Sequence, residues 1–322
     1  MKRLGFVLAA LAAAFPMLRA QDVLGAGNFS HIVENLDRSV AFYRDGIGLE
    51  GPATMRPFDP NPAIMKMGNT VGAQSRVAVL RVPGFSMGLE LIEYKDIDRK
   101  PAHPRFQDPG TGNLNVRVKD LAAVAGRIEK NGGHILTPGG VPAEIPGGAR
   151  VMFVQDPDGF VVELTQPKDS AAARNGNVLG GGVEITVENA EKAAAFYTDV
   201  FGFAKSVDAS YNGNQTMTAT AGVAGSRFRH SRVQIPGNVA LNFIEFQDID
   251  RHTLHTRVQD PGTALVQLRV RGLDTLLQKA KAGGATVVSV GGEPVAVGTF
   301  GRIAIARDPN NLFLELIEPQ GK

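Results

Sequence analysis

The chain has 322 residues, of which 43% are hydrophobic and 20% charged, and its lack of cysteine excludes disulfide bonds. This length and composition suit a globular protein of about two domains. Without the first 20 residues, 31 basic residues stand against 32 acidic ones and no long Lys/Arg run remains, so nucleic acid and anionic membranes are poor candidates as partners.

The first 20 residues form a segment distinct from the rest of the chain. A short basic start precedes an apolar run at residues 4–15, which is too short to span a bilayer as a stable helix, and the segment ends at the small residue Ala20. This pattern predicts a signal peptide at residues 1–20, removed before Gln21, and hence a periplasmic or secreted protein with no membrane association after cleavage. An uncleaved anchor or a cytoplasmic helix is the alternative.

Two βαβββ units are predicted in the half that follows. The first has a strand at residues 28–35, a helix that Asn35 or Asp37 caps, and a strand pair at 76–82 and 86–94. The second has a strand at 113–120, a helix capped by Asp120, and strands at 150–155 and 160–166.

The second half of the chain then repeats the first. Residues 91–111 and 243–263 are identical at 13 of 21 positions, and AFYRDGIGL matches AFYTDVFGF. The offset stays between 152 and 154 residues, which is too long for a solenoid period. The sequence therefore predicts a duplicated domain, with copies at 21–168 and 182–322 and a linker at 169–181.

These motifs resemble those of the vicinal oxygen chelate superfamily, which includes glyoxalase I, extradiol dioxygenases and the bleomycin- and fosfomycin-resistance proteins. The resemblance rests on the helix ends FYRDGIGL and FYTDVFGF and on the turns QDPDGFVVEL and RDPNNLFLEL. It implies an α+β fold in which four βαβββ units form two duplicated domains, with curved mixed sheets around cavities. A small-molecule ligand is expected, in a monomer with an internal pseudo-twofold or in a homodimer.

The resemblance also implies metal slots on the first and last strands of each unit. They fall on Asn28, Glu90, Asn113 and Glu163 in the first copy and on Gly182, Asn242, Leu265 and Glu315 in the second. Neither set contains the His that such sites use beside carboxylates. We therefore expect no metal cofactor. If a divalent metal is present, Glu90, Glu163 and Glu315 are its candidate ligands, with His103 as a nonstandard nitrogen donor.

Strand alternation adds further candidates on the predicted cavity face. These ligand-binding candidates are Asn115 and Arg117 in the first copy and Gln267 and Arg269 in the second. An inward Arg needs a partner, which Glu90 or Glu163 could provide for Arg117. Such an Arg is either a structural ion pair or an anchor for an anionic ligand. We expect the cavity built mainly from first-domain residues to be the working site.

The polar segments around His103 and His255 have a structural interpretation. Both copies keep the pattern IDR-x-x-x-H-x-R-x-QDPG, in which Asp and Arg can satisfy each other and the backbone. A His-Arg-Asp group that binds an anion or moves a proton is the alternative.

Three functions remain open from the sequence. The first is a binding protein without the usual His-containing metal site, for a small organic molecule, including an anionic one. The second is a divalent-metal-dependent lyase, isomerase or dioxygenase that uses Glu90 with Glu163 or Glu315. The third is a structural or partner-binding protein with filled cavities. Fold alone does not decide among them.

Overall fold

The computed structural model describes residues 22–170 and 176–321. The predicted signal peptide lies outside these residues, as does the middle of the predicted linker, residues 171–175. Strand β9 (Val178–Thr186) starts inside that linker. Within the described ranges, no helix combines the length and the apolar character needed to cross a membrane.

The described residues form seventeen strands and six α-helices. The other strands are β1 (Val23–Ile32), β2 (Gln74–Arg81), β3 (Gly88–Lys95), β4 (Gly112–Val118), β5 (His134–Ile135), β6 (Ala143–Glu144), β7 (Arg150–Gln155), β8 (Val161–Gln166), β10 (Ala204–Val207), β11 (Arg227–Ile235), β12 (Val239–Gln247), β13 (Ala264–Val270), β14 (Thr286–Val287), β15 (Val295–Val297), β16 (Gly301–Arg307) and β17 (Phe313–Glu318). The helices are α1 (Leu36–Ala41), α2 (Pro62–Met67), α3 (Leu121–Ile128), α4 (Ala190–Phe201), α5 (Gln215–Thr220) and α6 (Leu273–Ala282).

These elements confirm the α+β class and the four repeated units. Unit 1 runs from β1 to β3, unit 2 from β4 to β8, unit 3 from β9 to β12 and unit 4 from β13 to β17. In unit 1 the strand that corresponds to β10 is reduced to a single bridge between Glu50 and Arg81.

The units pair across the two copies to form two mixed sheets. One sheet has the order β14-β16-β17-β13-β1-β3-β2 and the other β10-β11-β12-β9-β4-β8-β7-β5. The antiparallel pairs β1–β13 and β4–β9 join unit 1 to unit 4 and unit 2 to unit 3. The expectation of a cavity built mainly from first-domain residues is therefore wrong, because each sheet combines strands from both copies.

We call the inner faces of the two sheets cup A and cup B. Cup A, from units 1 and 4, holds an apolar cluster that includes Ile32, Met65, Tyr94, Leu265 and Phe313. Cup B, from units 2 and 3, holds a cluster that includes Phe106, Phe153, Phe228, Ile244 and Phe246. The helices α1, α3, α4 and α6 share one larger core with the opposite faces of both sheets.

The FY and DP motifs hold the two units of each copy together. The Tyr43 hydroxyl donates to the Asp156 carboxylate at 2.9 Å, and the Tyr197 hydroxyl donates to Asp308 at 3.0 Å. All four side chains are buried. Within each copy, a hydrogen bond from a helix to a turn joins the two units. Between the copies, strand pairing joins the units.

The polar connectors are structural, as the sequence suggested. Arg105 pairs with Asp108 of its own copy at 2.7 Å and with Asp250 of the other copy at 3.2 Å. Arg257 makes the symmetric pairs with Asp260 and Asp98, at 2.7 and 3.0 Å. His103 and His255 are exposed, so neither sits in a cup as a nitrogen donor.

Candidate functional site

Cup B contains a cavity of about 40 Å³. That is room for about three water molecules, at roughly 10–15 Å³ each. Four aromatic side chains form much of its wall: Phe106, Phe153, Phe228 and Phe246. Its polar lining includes Glu163, Glu184 and His230. A concave, mostly apolar space with a few converging polar groups is the usual form of a small-molecule site.

The short helix over each cup is one place where the two copies differ. Helices α2 and α5 are each six residues long, and each starts after a capping Asn. At the fourth and sixth positions α2 buries Met65 and Met67, where α5 buries Thr218 and Thr220. In cup A the longer Met65 and Met67 side chains join the apolar cluster, whereas in cup B the smaller Thr218 lines the cavity.

Each short helix docks onto the opposite unit of its cup in the same way. The Ser289 hydroxyl of unit 4 donates to the Met67 carbonyl of α2 at 2.9 Å. The Thr137 hydroxyl of unit 2 donates to the Thr220 carbonyl of α5 at 3.1 Å. The helix backbones therefore close both cups alike, and the two helices differ in their buried side chains.

Glu163 is held on β8 by two neighbouring donors. The Asn115 amide donates to its Oε2 at 2.6 Å, and the Thr165 hydroxyl donates to its Oε1 at 2.9 Å. Burial, together with the negative charge of Glu184, raises the pKa of Glu163 to about 7. A carboxyl group with this pKa can either donate or accept a proton near neutral pH.

Glu184 and His230 form the second polar pair of cup B. His230 Nε2 lies 3.4 Å from Glu184 Oε2, and its Nδ1 lies 3.6 Å from the exposed Asp208. Burial by itself lowers the pKa of His230, but the hydrogen bond and charge of Glu184 outweigh it, so the pKa is raised overall. The pair therefore favours an imidazolium beside a carboxylate.

Cup A holds a different polar group, two carboxylates bridged by one amide. Gln267 Nε2 donates to Glu90 Oε2 at 2.7 Å and to Glu315 Oε2 at 3.1 Å. The Ser30 hydroxyl also donates to Glu90 Oε2, at 2.7 Å. Burial and the charge of Glu90 raise the pKa of Glu315 to about 8, and burial raises the pKa of Glu90 as well.

The residues of neither cup fit the divalent metal that the fold family implies. Among the described residues, no three His, Asp or Glu side chains come close enough to hold an ion together. In cup A an amide nitrogen lies between the two carboxylates and Leu265 occupies a ligand slot. In cup B, amides stand where the family uses imidazoles: Asn113 donates to the Thr186 hydroxyl at 3.2 Å and Asn115 donates to Glu163 at 2.6 Å, while Gly182 offers no side chain.

The structure divides the predicted site residues between the two cups. Cup A brings together Asn28, Glu90, Gln267 and Glu315, and cup B brings together Asn113, Asn115, Glu163 and Asn242. Glu90 and Glu315 are thus neighbours, whereas a Glu90–Glu163 metal site is ruled out by their different sheets. Asn242 has a structural role, because its amide donates to the Val183 carbonyl and its oxygen accepts from Arg232.

The prediction for Arg117 is wrong. Its side chain is exposed, and its guanidinium lies against Gly180 at the outer end of β4. No ion pair within the described residues joins it to Glu90 or Glu163. Arg269 is also exposed, near Gly25. Strand alternation predicted the correct strand face for both arginines. It could not predict that they lie at the exposed rim of each cup rather than at its buried floor.

Sequence reasoning missed Glu184 and His230. By strand register they occupy the positions of Ser30 and Val77 in cup A. The two copies therefore differ here by a gain of one acid and one imidazole in neighbouring strands. A comparison of inward positions between the copies, rather than of metal slots alone, would have identified this pair.

Comparison with known proteins agrees with this architecture. The family model described as the Glyoxalase/Bleomycin resistance protein/Dioxygenase superfamily matches residues 26–164 and 181–316. The chain belongs to this superfamily and contains two of its domains.

Individual relatives are more distant. The lactoylglutathione lyase of Salmonella typhimurium is 27% identical over 139 residues, which are 43% of this chain and 89% of that protein. The lactoylglutathione lyase of Haemophilus influenzae is 25% identical over 141 residues, with the same coverage. Glyoxalase I from Zea mays has a similar fold, with a TM-score of 0.58 at 16% identity over 92% of both chains.

Proposed function

We propose that this protein binds a small organic molecule in the cavity of cup B, between units 2 and 3. One observation carries the proposal: the carboxylates Glu163 and Glu184 meet in an aromatic-walled cavity. Buried carboxylates are costly unless something satisfies them. Among the described lining residues only His230 is basic, and it pairs with Glu184. Glu163 has hydrogen bonds from Asn115 and Thr165 but no ion-pair partner among the described residues, so a cationic ligand or a proton can neutralise its charge.

The acidic and aromatic side chains that line the cup B cavity indicate which class of ligand it favours. Two acids favour a protonated amine or another hydrogen-bond donor over an anion. The faces of the phenylalanine rings favour an apolar body and also attract cations. An anionic ligand anchored by Arg117 has no support, because that guanidinium is exposed. Met217, a flexible side chain in the cavity wall, can move to admit a ligand larger than the present space.

A series of probes of equal shape tests the proposal. Benzylamine, benzyl alcohol and benzoate are titrated into the protein by isothermal calorimetry at pH 7. We expect the amine to bind most tightly and benzoate to bind least. Glu163→Gln and Glu184→Gln should each weaken benzylamine binding at least about tenfold, which is about 1.4 kcal/mol. Glu90→Gln, a buried acid of cup A, is the matched control and should leave the affinity unchanged. Tightest binding of benzoate would refute the ligand class.

Acid–base catalysis in the same cavity is a second candidate. The pKa of Glu163, raised to about 7 by burial, is the value at which a carboxyl group transfers protons most effectively near neutral pH. Two of the relatives named above are lactoylglutathione lyases. A lyase or isomerase acting on a small carbonyl compound would need such a group beside the carbon that loses its proton. We derive no step through a metal, because the donor residues do not fit one.

Proton exchange distinguishes catalysis from binding. Lactoylglutathione is incubated with the protein in deuterated buffer containing a chelator, and exchange of its carbon-bound protons is followed by NMR. If Glu163 acts as the base, exchange should occur with wild type and be lost in Glu163→Gln but kept in Glu90→Gln. Absence of exchange with this compound, together with benzylamine binding, would leave the binding function alone.

Export is part of the proposal and rests on the sequence of residues 1–20. The basic start, the apolar run and Ala20 match the signal-peptide pattern. N-terminal sequencing of protein from the producing cell should begin at or near Gln21, in the periplasmic or secreted fraction. Intact Met1 in the cytoplasmic fraction would contradict it.

A single chain supplies both cups, which supports a monomer with an internal pseudo-twofold. Units 1 and 4 complete cup A, and units 2 and 3 complete cup B, through strand pairs within the chain. Light scattering with size-exclusion chromatography should give the mass of one chain. A mass of two chains would favour the homodimer instead.

A further inference from the structure

We infer that cup A is a metal-independent site in which the side-chain amide of Gln267 takes the place of a divalent cation. The nitrogen of this amide lies within hydrogen-bond distance of Glu90 Oε2, at 2.7 Å, and of Glu315 Oε2, at 3.1 Å. Glu90 and Glu315 are the cup A residues that would hold a divalent ion, so the amide occupies the place that the ion would need. The two amide protons give each acid a hydrogen bond, where the ion would have given each a coordination bond.

The orientation of the amide is fixed by the backbone. The Asn28 N–H donates to Gln267 Oε1 at 2.9 Å. A rotated amide would set its NH₂ against that N–H and would remove the donor from which both Glu90 and Glu315 accept. Gln267 therefore cannot turn its oxygen inward to serve as a cation ligand while the Asn28 contact stands.

The neighbouring strand is built to admit this side chain. A register shift in β1 between Ala26 and Phe29 brings Gly27 against Gln267. A Cβ at Gly27 would lie 2.7 Å from the Gln267 Cβ and 2.9 Å from its Oε1. The Gln267 side chain can therefore occupy this position only because residue 27 has no side chain.

Cup A also surrounds the two acids with apolar side chains that would add no ligands to an ion. With two carboxylates as its only charged ligands, a divalent ion would keep several waters in its coordination shell. Met65, Leu265 and Phe313 are buried beside the acids and pack together in the same cup. Cup B provides the contrast: its equivalent residue, Asn115, is one methylene shorter and reaches only Glu163.

The test measures metal content and thermal stability, and its outcome does not depend on the proposed function. Protein is purified without a metal-affinity tag and analysed for bound elements. Its thermal midpoint is then measured with EDTA, Mn²⁺ and Zn²⁺. For wild type we expect less than one tenth of an equivalent of metal and no shift in the midpoint.

Two variants at residue 267 complete the experiment. Gln267→Glu adds a third carboxylate to Glu90 and Glu315, so Mn²⁺ should bind with one-to-one stoichiometry and raise the midpoint by several degrees, reversibly with EDTA. Gln267→Met keeps the length but neither donates nor binds hard ions, so it should lose stability and gain no Mn²⁺ response. Should Gln267→Glu fail to fold without Mn²⁺ but fold with it, the inference stands. Near-stoichiometric metal in wild type, or a wild-type response to Mn²⁺ equal to that of Gln267→Glu, would overturn it.

Discussion

Thr218 of α5 occupies in cup B the position that Met65 of α2 occupies in cup A. Each is the fourth residue of a six-residue helix with an Asn cap, and each is buried. The central strands of the two cups correspond in register, and both helices are held by a hydroxyl from the opposite unit. Side-chain volume at this helix is therefore one difference between the two cups, and it lies where the cup B cavity is lined by Thr218.

Filling the cavity should abolish binding in cup B. Thr218→Met places the cup A side chain over Glu163 and Glu184, and we expect benzylamine affinity to fall at least tenfold, about 1.4 kcal/mol. Isothermal calorimetry measures the affinity, and thermal unfolding should show a stable protein. Thr216→Met, at an exposed position of the same helix, is the control. Unchanged affinity in Thr218→Met would place the ligand elsewhere.

The reverse exchange should cost stability in cup A. Met65 is 2% exposed, so Met65→Thr leaves an unfilled volume and buries a hydroxyl. We expect a loss of about 2–4 kcal/mol in the free energy of unfolding, as for other large-to-small core substitutions. Urea denaturation measures it. Lys66→Thr, at the exposed neighbouring position, should change the free energy by less than about 0.5 kcal/mol.

Glu315 should make the protein less stable as the pH rises. Its pKa is about 8 in the folded state against 4.5 in the reference state, because burial and Glu90 disfavour its charge. A raised folded pKa means that the stabilisation is full below about 4.5 and is lost as the pH approaches 8, by up to about 1.4 kcal/mol per pH unit.

Urea unfolding at pH 5, 6, 7 and 8 measures this dependence. Glu315→Gln stays neutral, so the difference in unfolding free energy between variant and wild type should shift in favour of the variant with rising pH. Glu129→Gln, at an exposed position, should run parallel to wild type. A Glu315→Gln curve parallel to wild type would show that Glu315 does not titrate in this range.

Gly27 should tolerate no side chain. Gly27→Ala would place its Cβ 2.7 Å from the Gln267 Cβ, and such overpacking costs about 1–3 kcal/mol. Gly126→Ala lies in α3 with nothing within 4 Å of the added carbon, so it should instead stabilise by about 0.5–1 kcal/mol. Opposite signs in urea denaturation are the expected result, and equal effects would contradict the tight approach.

Much of the fold could be predicted from the sequence, because local signals determine it. The FY helix ends and DP turns fixed the units, and strand alternation put Asn115 and Gln267 on the inner faces. The pairing of units was not predictable, because each unit repeats the same strands and offers the same edge to either neighbour. The depth of an inward side chain in a cup was not predictable either. Arg117 and Gln267 have the same strand periodicity, yet Arg117 is exposed to solvent and Gln267 is buried on the floor of a cup.

The pairing of units also sets an order of folding during synthesis. Cup B joins β4 to β9, and its last strand, β12, ends at Gln247. Cup A joins β1 to β13, so Ser30 cannot pair with Leu265 until more than 200 further residues have been synthesised. On the ribosome, cup B has all its strands while β1 still presents an unpaired edge, the kind of surface that promotes aggregation. The cup with the cavity can close early, and the cup bridged by the amide closes last, when the final unit arrives to complete it.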